Sequence, residues 1–177
     1  MRLSTPRRLR RLAVPLVAAC SLTGAAAATP AHAASPCSAP VSSATTTLCL
    51  INAERRAHGV KPVRHDAKLY RAAIRHSRDM VAKRYFAHNS RSGARFSARI
   101  ASTGWMNGRG RWAVGENRGW GSGTQAAPRS IVAAWMHSAG HRANLLNPRY
   151  HVIGIGIASG APAGSNGGAT YTTDFGS

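Results

Sequence analysis

The segment HDAKLYRAAIRHSRDMVAKRYF, residues 65–86, is the longest stretch of this chain with one unbroken period. Leu69, Ala73, His76 and Met80 recur at spacings of 4, 3 and 4, which puts them on a single face of an α-helix. Asp66 is its N-cap, a short carboxylate suited to accept the orphan N–H groups of a first turn. A helix with one apolar face needs a surface to bury it against, and the end of the chain provides one. HVIGIGIAS and ATYTTDFG read as two strands joined by the open loop GAPAGSNGG.

Three more helices are expected. The first, LCLINAERRAHG, has N-cap candidates at Thr45–Thr47 and a stop at Gly59. Its stripe of Leu48, Leu50 and Ile51 faces inward, while Glu54, Arg55 and Arg56 stay wet. A short helix in ARFSARIASTG ends at Gly104, and another spans residues 126–137 with Pro128 in its first turn, where a missing N–H is harmless. Within the glycine-rich run WMNGRGRWAVGENRGWGSG only residues 112–118 have strand character. Helices come first and strands late, the order of an α+β domain with an antiparallel sheet between helices.

The N-terminal 33 residues have a different character. Five arginines, an apolar run from Leu12 and the triplet Ala31-His32-Ala33 read as a secretory signal peptide cleaved after Ala33. The paired arginines leave a twin-arginine export route open. Val17-Ala18-Ala19-Cys20 also resembles a lipobox, in which Cys20 would carry an acyl anchor. The expected organisation is a signal peptide over 1–33, a Pro- and Ser-rich lead-in over 34–47, and one domain over 48–177. No later segment has the roughly 20 consecutive apolar residues of a membrane span.

Removing the five leader arginines leaves 19 basic residues against 5 acids, a net charge of +14. Such a balance attracts polyanions, for which a bacterial envelope offers teichoic acids and anionic lipids; the alternative is arginine spent on solvated faces. Nucleic acid is a poor partner for scattered cations, few aromatics and an exported chain. In an oxidising compartment Cys37 and Cys49 form the expected disulfide.

With only five acids, each needs a reason. Asp66 caps a helix, and Glu54 and Asp79 sit among arginines on helices. Glu116 lies in Gly115-Glu116-Asn117, between a strand and a glycine-rich loop, the setting of a cleft. With His88 and His141 it makes a two-histidine, one-carboxylate set, able to bind zinc with an open position or to work as an acid/base pair without metal. His137 and His141 stand four residues apart, yet Ser138 follows where a zinc-protease helix carries Glu, and Gly140 interrupts the pair.

LINAERRAHGVKPV, HSRDMVAKRYFAH, RIASTGW, GENR, AAWMHSAGHRANLLNP, IGIGIA and YTTDFG follow one another in the order and spacing of a known family. Over residues 48–175 the chain resembles the CAP superfamily, or sperm-coating-protein (SCP) domain, in its small secreted bacterial branch. The resemblance implies an α-β-α sandwich with a central cleft. In many eukaryotic members two histidines and two glutamates line that cleft and in some cases bind a divalent metal. The histidines match His88 and His141 and the first glutamate matches Glu116, but the second falls on Ser138. One lost carboxylate means one fewer oxygen donor and weaker metal affinity.

The function this implies is a non-enzymatic extracellular binding module whose cleft, with His88, Glu116, Asn117 and His141, meets a lipid, glycan or protein of the envelope. The alternative is a hydrolase with Ser138 as nucleophile, His141 as base and Glu116 as orienter. Ser138 is more simply an N-cap for GHRANLL, and a third reading makes His88, Glu116 and His141 a buried hydrogen-bond network that holds the helices onto the sheet.

Overall fold

In the computed structural model, residues 37, 43–162, 164 and 167–177 are described. The expected leader, Cys20 and the lead-in before residue 43, apart from Cys37, lie outside them. The first helix, α1, covers Ala44–Ala57 and starts one turn earlier than expected, because Ser43 rather than a threonine is the cap. The Ser43 hydroxyl accepts the Thr46 N–H, and Thr46 and Thr47 are buried within the first turn. Gly59, just past the helix, adopts a φ of +70°, which a side chain disfavours. The Cys37–Cys49 disulfide forms and ties the incoming chain to α1.

A two-residue strand, β1 (Arg64–His65), leads into α2 (Ala67–Ala82). Asp66 caps α2 through bonds of 2.8 and 2.9 Å from the Lys68 and Leu69 N–H groups, and its second oxygen accepts from the Trp105 indole. Leu69, Ala73, His76 and Met80 are all buried, as their spacing requires. The short α3 (Phe96–Ala101) follows, then strand β2 (Val114–Ser122), a 3-10 turn over Gly123–Ala126, α4 (Pro128–His137) and α5 (Ala139–Leu145). Strand β2 begins two residues later than expected and runs four further, through Gly119 and Gly121; glycine hid its pairing with the last strand. Trp112 is exposed outside it.

Strands β3 (Val152–Ser159) and β4 (Gly168–Gly176) complete a sheet of order β1-β3-β4-β2, antiparallel except for the β1/β3 pair. Alternation along β3 divides the sheet's two faces. Ile153 and Ile155 point into a core with Leu50, Ile51, Ile131, Trp135, Tyr171 and Phe175, beneath α1 and α4. Gly154 and Gly156 point the other way, directly onto the α2 backbone. The result is the expected α-β-α sandwich.

One expected surface residue is inside. Arg55 is 0 % exposed, although it sits among Glu54 and Arg56, because its guanidinium ties α1 to the chain after α5.

Candidate functional site

Strand β2 carries Glu116 opposite Asp174 of β4. The Glu116 side chain is buried, and both oxygens are occupied: Oε1 meets His88 Nδ1 at 2.7 Å, and Oε2 accepts from Arg99 Nη2 of α3. Arg99 also donates to the His88 carbonyl at 2.7 Å, so one guanidinium fixes both the carboxylate and the loop that presents the imidazole. His88 is about half exposed and closes the group toward solvent. His76, inside on α2, bonds the Ala87 carbonyl at 2.9 Å; burial, then the Arg99 charge, lowers its pKa, so it is a neutral tether for that loop.

Asp174 lies behind Glu116, and neither of its oxygens has a hydrogen-bond partner of normal geometry among the described residues. Burial above all, then the adjacent Glu116 charge, pushes its carboxyl well above the usual carboxylate range, with Arg99 pulling the other way. A group whose pKa is raised by folding contributes fully below its unfolded value near 4 and costs stability as pH rises toward the folded value. Asp174→Asn, which cannot ionise, therefore unfolds at a higher temperature than wild type at pH 7, and the difference closes by about pH 3. Thermal melts from pH 3 to 8 read this; a deficit of constant size across the range would contradict it.

Of the expected trio, His88 and Glu116 are bonded to each other, and His141 lies near enough for the His88 charge to act on it. His88 and Glu116 share an open cavity of about 400 Å³, also lined by Asn89, Arg95, Phe96 and Asn144. His141 lines a second cavity of about 310 Å³ with Ser138, Phe86, Arg118 and Trp120. Its Nδ1 lies 2.9 Å from Ser138 Oγ, and burial, then the Arg118 and His88 charges, lowers its pKa. Asn117 belongs to neither cavity. It is fully buried on the opposite face of β2, where it donates to the His141 carbonyl and accepts from Asn144, tying α5 to the strand.

Among the described residues no three His, Cys, Asp or Glu side chains are placed to hold a metal ion. The helix breaks at Ser138, which is extended, rather than at Gly140, which is helical within α5. Ser138 takes the N-cap position, but its hydroxyl bonds His141 instead of a backbone N–H. The break separates the exposed His137 from His141.

Arg99 and the role of Asp174 were not expected. Their segments read only as a short helix and a strand, and as landmarks of the resemblance, with no site role for either residue.

A model of the CAP, or cysteine-rich secretory protein, family matches residues 48–173. This chain belongs to the CAP family. It is 40 % identical over 114 residues to the uncharacterized protein YkwD of Bacillus subtilis, a match over 63 % of this chain and 41 % of that protein. The chain thus spans about two fifths of that curated relative's length. The CAP fold here is similar to an extracellular SCP-domain protein of Bacillus anthracis (TM-score 0.62, 24 % identity, 78 % of this chain and 44 % of that one). It is also similar to an outer surface protein of Borrelia burgdorferi (0.59, 18 %, 73 % and 87 %) and a cysteine-rich secretory protein of Staphylococcus aureus (0.52, 18 %, 73 % and 36 %). At these identities the structural likeness establishes the CAP fold alone. No helix among the described residues is long and apolar enough to cross a membrane.

Proposed function

We propose that this CAP domain is a secreted, non-enzymatic binding module whose ligand occupies the His88–Glu116 cavity. The carrying observation is the double engagement of Glu116 by His88 and Arg99, which makes the carboxylate a fixed wall charge rather than a free base or a metal ligand. Around it, His88, Asn89, Arg95 and Asn144 offer polar groups beside the ring of Phe96. That mixture suits a polar ligand such as an envelope glycan fragment better than a lipid tail. The leader-like N-terminus, the disulfide and the extracellular or outer-surface descriptions of the structural neighbours all support export.

The hydrolase alternative keeps one observation in its favour, the Ser138–His141 contact. It lacks an orienting acid, because Glu116 is bound elsewhere, and a serine–histidine pair without its third member is a weak nucleophile.

Titration of the isotope-labelled protein with soluble muropeptides, followed by NMR, tests the binding reading. Saturable shifts are expected at His88, Asn89, Arg95 and Glu116 and are lost in His88→Ala. No saturable shift there, or muropeptide or ester turnover abolished by Ser138→Ala, would overturn it.

A further inference from the structure

On the solvent face of α2, Arg71, Arg75 and Arg78 follow one another at helical spacing and line a shallow cavity of about 360 Å³, completed by Ile74, Ser102 and Thr103. The three arginines are exposed, and like charges three and four residues apart weaken a helix by a few tenths of a kcal/mol per pair. Elsewhere this chain gives its few acids to specific partners. Glu54 lies 3.9 Å from His58, Asp66 caps α2, Asp79 binds Lys83 and Tyr85, Glu116 binds His88 and Arg99, and Asp174 is buried beside Glu116. These are all five acids of the sequence, so no carboxylate is left for the arginine row.

The row is nevertheless partly ordered. Arg75 Nη2 donates to Ser102 Oγ at 3.1 Å and its Nε to the Arg71 carbonyl, while Arg71 and Arg78 keep their guanidinium donors free of protein partners among the described residues. Along the helix axis the three Cα positions span roughly 10 Å, with about 6 Å between the first two. One middle guanidinium held in place and two free ones flanking it form a surface for several phosphate oxygens in line; the Ser102 and Thr103 hydroxyls serve the helix instead, donating to the Arg99 and Ile100 carbonyls.

We infer that this face of α2 binds an anionic polymer of phosphodiesters, with neighbouring phosphates engaging Arg71, Arg75 and Arg78. Several charges in line favour a polymer over a single ion, because each additional contact releases counterions and adds to the affinity. The cavity offers a membrane no apolar side chain to insert, since Ile74 is buried, so the row favours a phosphodiester chain over a bilayer. The site is separate from the His88–Glu116 cavity and does not depend on the function proposed for it.

The test uses the full chain with its disulfide intact, and purified poly(glycerol phosphate), inorganic phosphate and phosphatidylglycerol vesicles as probes. Two triple variants of equal charge are compared, Arg71→Gln/Arg75→Gln/Arg78→Gln and the dispersed control Arg56→Gln/Arg129→Gln/Arg149→Gln. The first is expected to lose at least about tenfold in polymer affinity and to show a shallower salt dependence, while the control loses less than about threefold. The polymer raises the Tm of wild type and control but not of the α2 variant, whose own Tm is equal to or above wild type. Equal losses in both variants, polymer affinity no greater than that of inorganic phosphate, or binding to vesicles without binding to polymer would overturn the proposal.

Discussion

Replacing Arg55 with alanine lowers the unfolding free energy by about 3–5 kcal/mol. Among the described residues the guanidinium has no carboxylate partner and is held by backbone carbonyls. Nε donates to Lys61 at 2.7 Å, Nη1 to Leu145 at 2.6 Å and Asn147 at 3.1 Å, and Nη2 to Tyr150 at 3.1 Å. Burial lowers the Arg55 pKa, a sign of the desolvation that wild type already bears. Two effects therefore oppose each other when the side chain is removed. Relief of that desolvation favours the variant, but the main-chain carbonyls stay where they are, and those that are buried lose their donor at about 1–3 kcal/mol each. The second effect wins because several acceptors share one donor group. Arg55→Lys keeps the charge but not the planar fork, and is expected to recover less than half of the loss. Urea unfolding of the disulfide-bonded protein measures both, and the alanine variant's Tm falls by on the order of 10 °C. An alanine variant within 1 kcal/mol of wild type would show that the carbonyls find water instead.

Arg55 also marks where sequence reasoning runs out. Within AERRAHG nothing distinguishes it from Arg56, because three of its four partners lie 90 to 95 residues away and all four are main-chain oxygens with no sequence signature. Signals that act within one turn were legible. The period of α2, its Asp66 cap, the stop at Gly59 and the arrest of α4 before His141 all depend on neighbours in the chain. The His88–Glu116 pairing was legible only through the resemblance, since a spacing of 28 residues carries no geometry of its own. Arg99 was missed because an arginine in a short helix looks solvated until its carboxylate is known. Asn117 was misplaced for a different reason: along a strand adjacent residues face opposite ways, so it could not share a wall with Glu116. That consequence could have been drawn from the strand assignment itself.

The largest effect of a single added methyl group is expected at Gly154 or Gly156. A Cβ on Gly154 would fall on the backbone of Leu69 and Tyr70, and one on Gly156 on the backbone of Ala73 and Ile74. Main-chain atoms of a packed helix cannot rotate aside, so α2 must lift from the sheet. Lifting it loosens the burial of Leu69, Ala73 and Met80 and stretches the Ser77 hydroxyl bonds to Gly156 O and Thr172 Oγ1, at 2.9 and 2.8 Å. Overpacking usually costs 1–3 kcal/mol, and a clash with backbone on a central strand belongs at or beyond the top of that range. Each alanine variant is expected to lose about 3 kcal/mol or more, a large share of the 5–15 kcal/mol that holds a typical domain together. Two other glycines set the scale. At Gly119 the nearest groups are the Trp135 and Ile131 side chains, at 3.2 and 3.3 Å, which can yield, so alanine there costs about 1 kcal/mol. Gly140 lies within α5 with nothing near its missing Cβ, and alanine there stabilises by up to about 1 kcal/mol through helix propensity. Chemical unfolding of the four variants should rank Gly140→Ala above wild type, Gly119→Ala below it, and Gly154→Ala and Gly156→Ala far lower. If Gly154→Ala is instead as stable as Gly119→Ala, the close seat of α2 on β3 is not what the IGIGIA glycines provide.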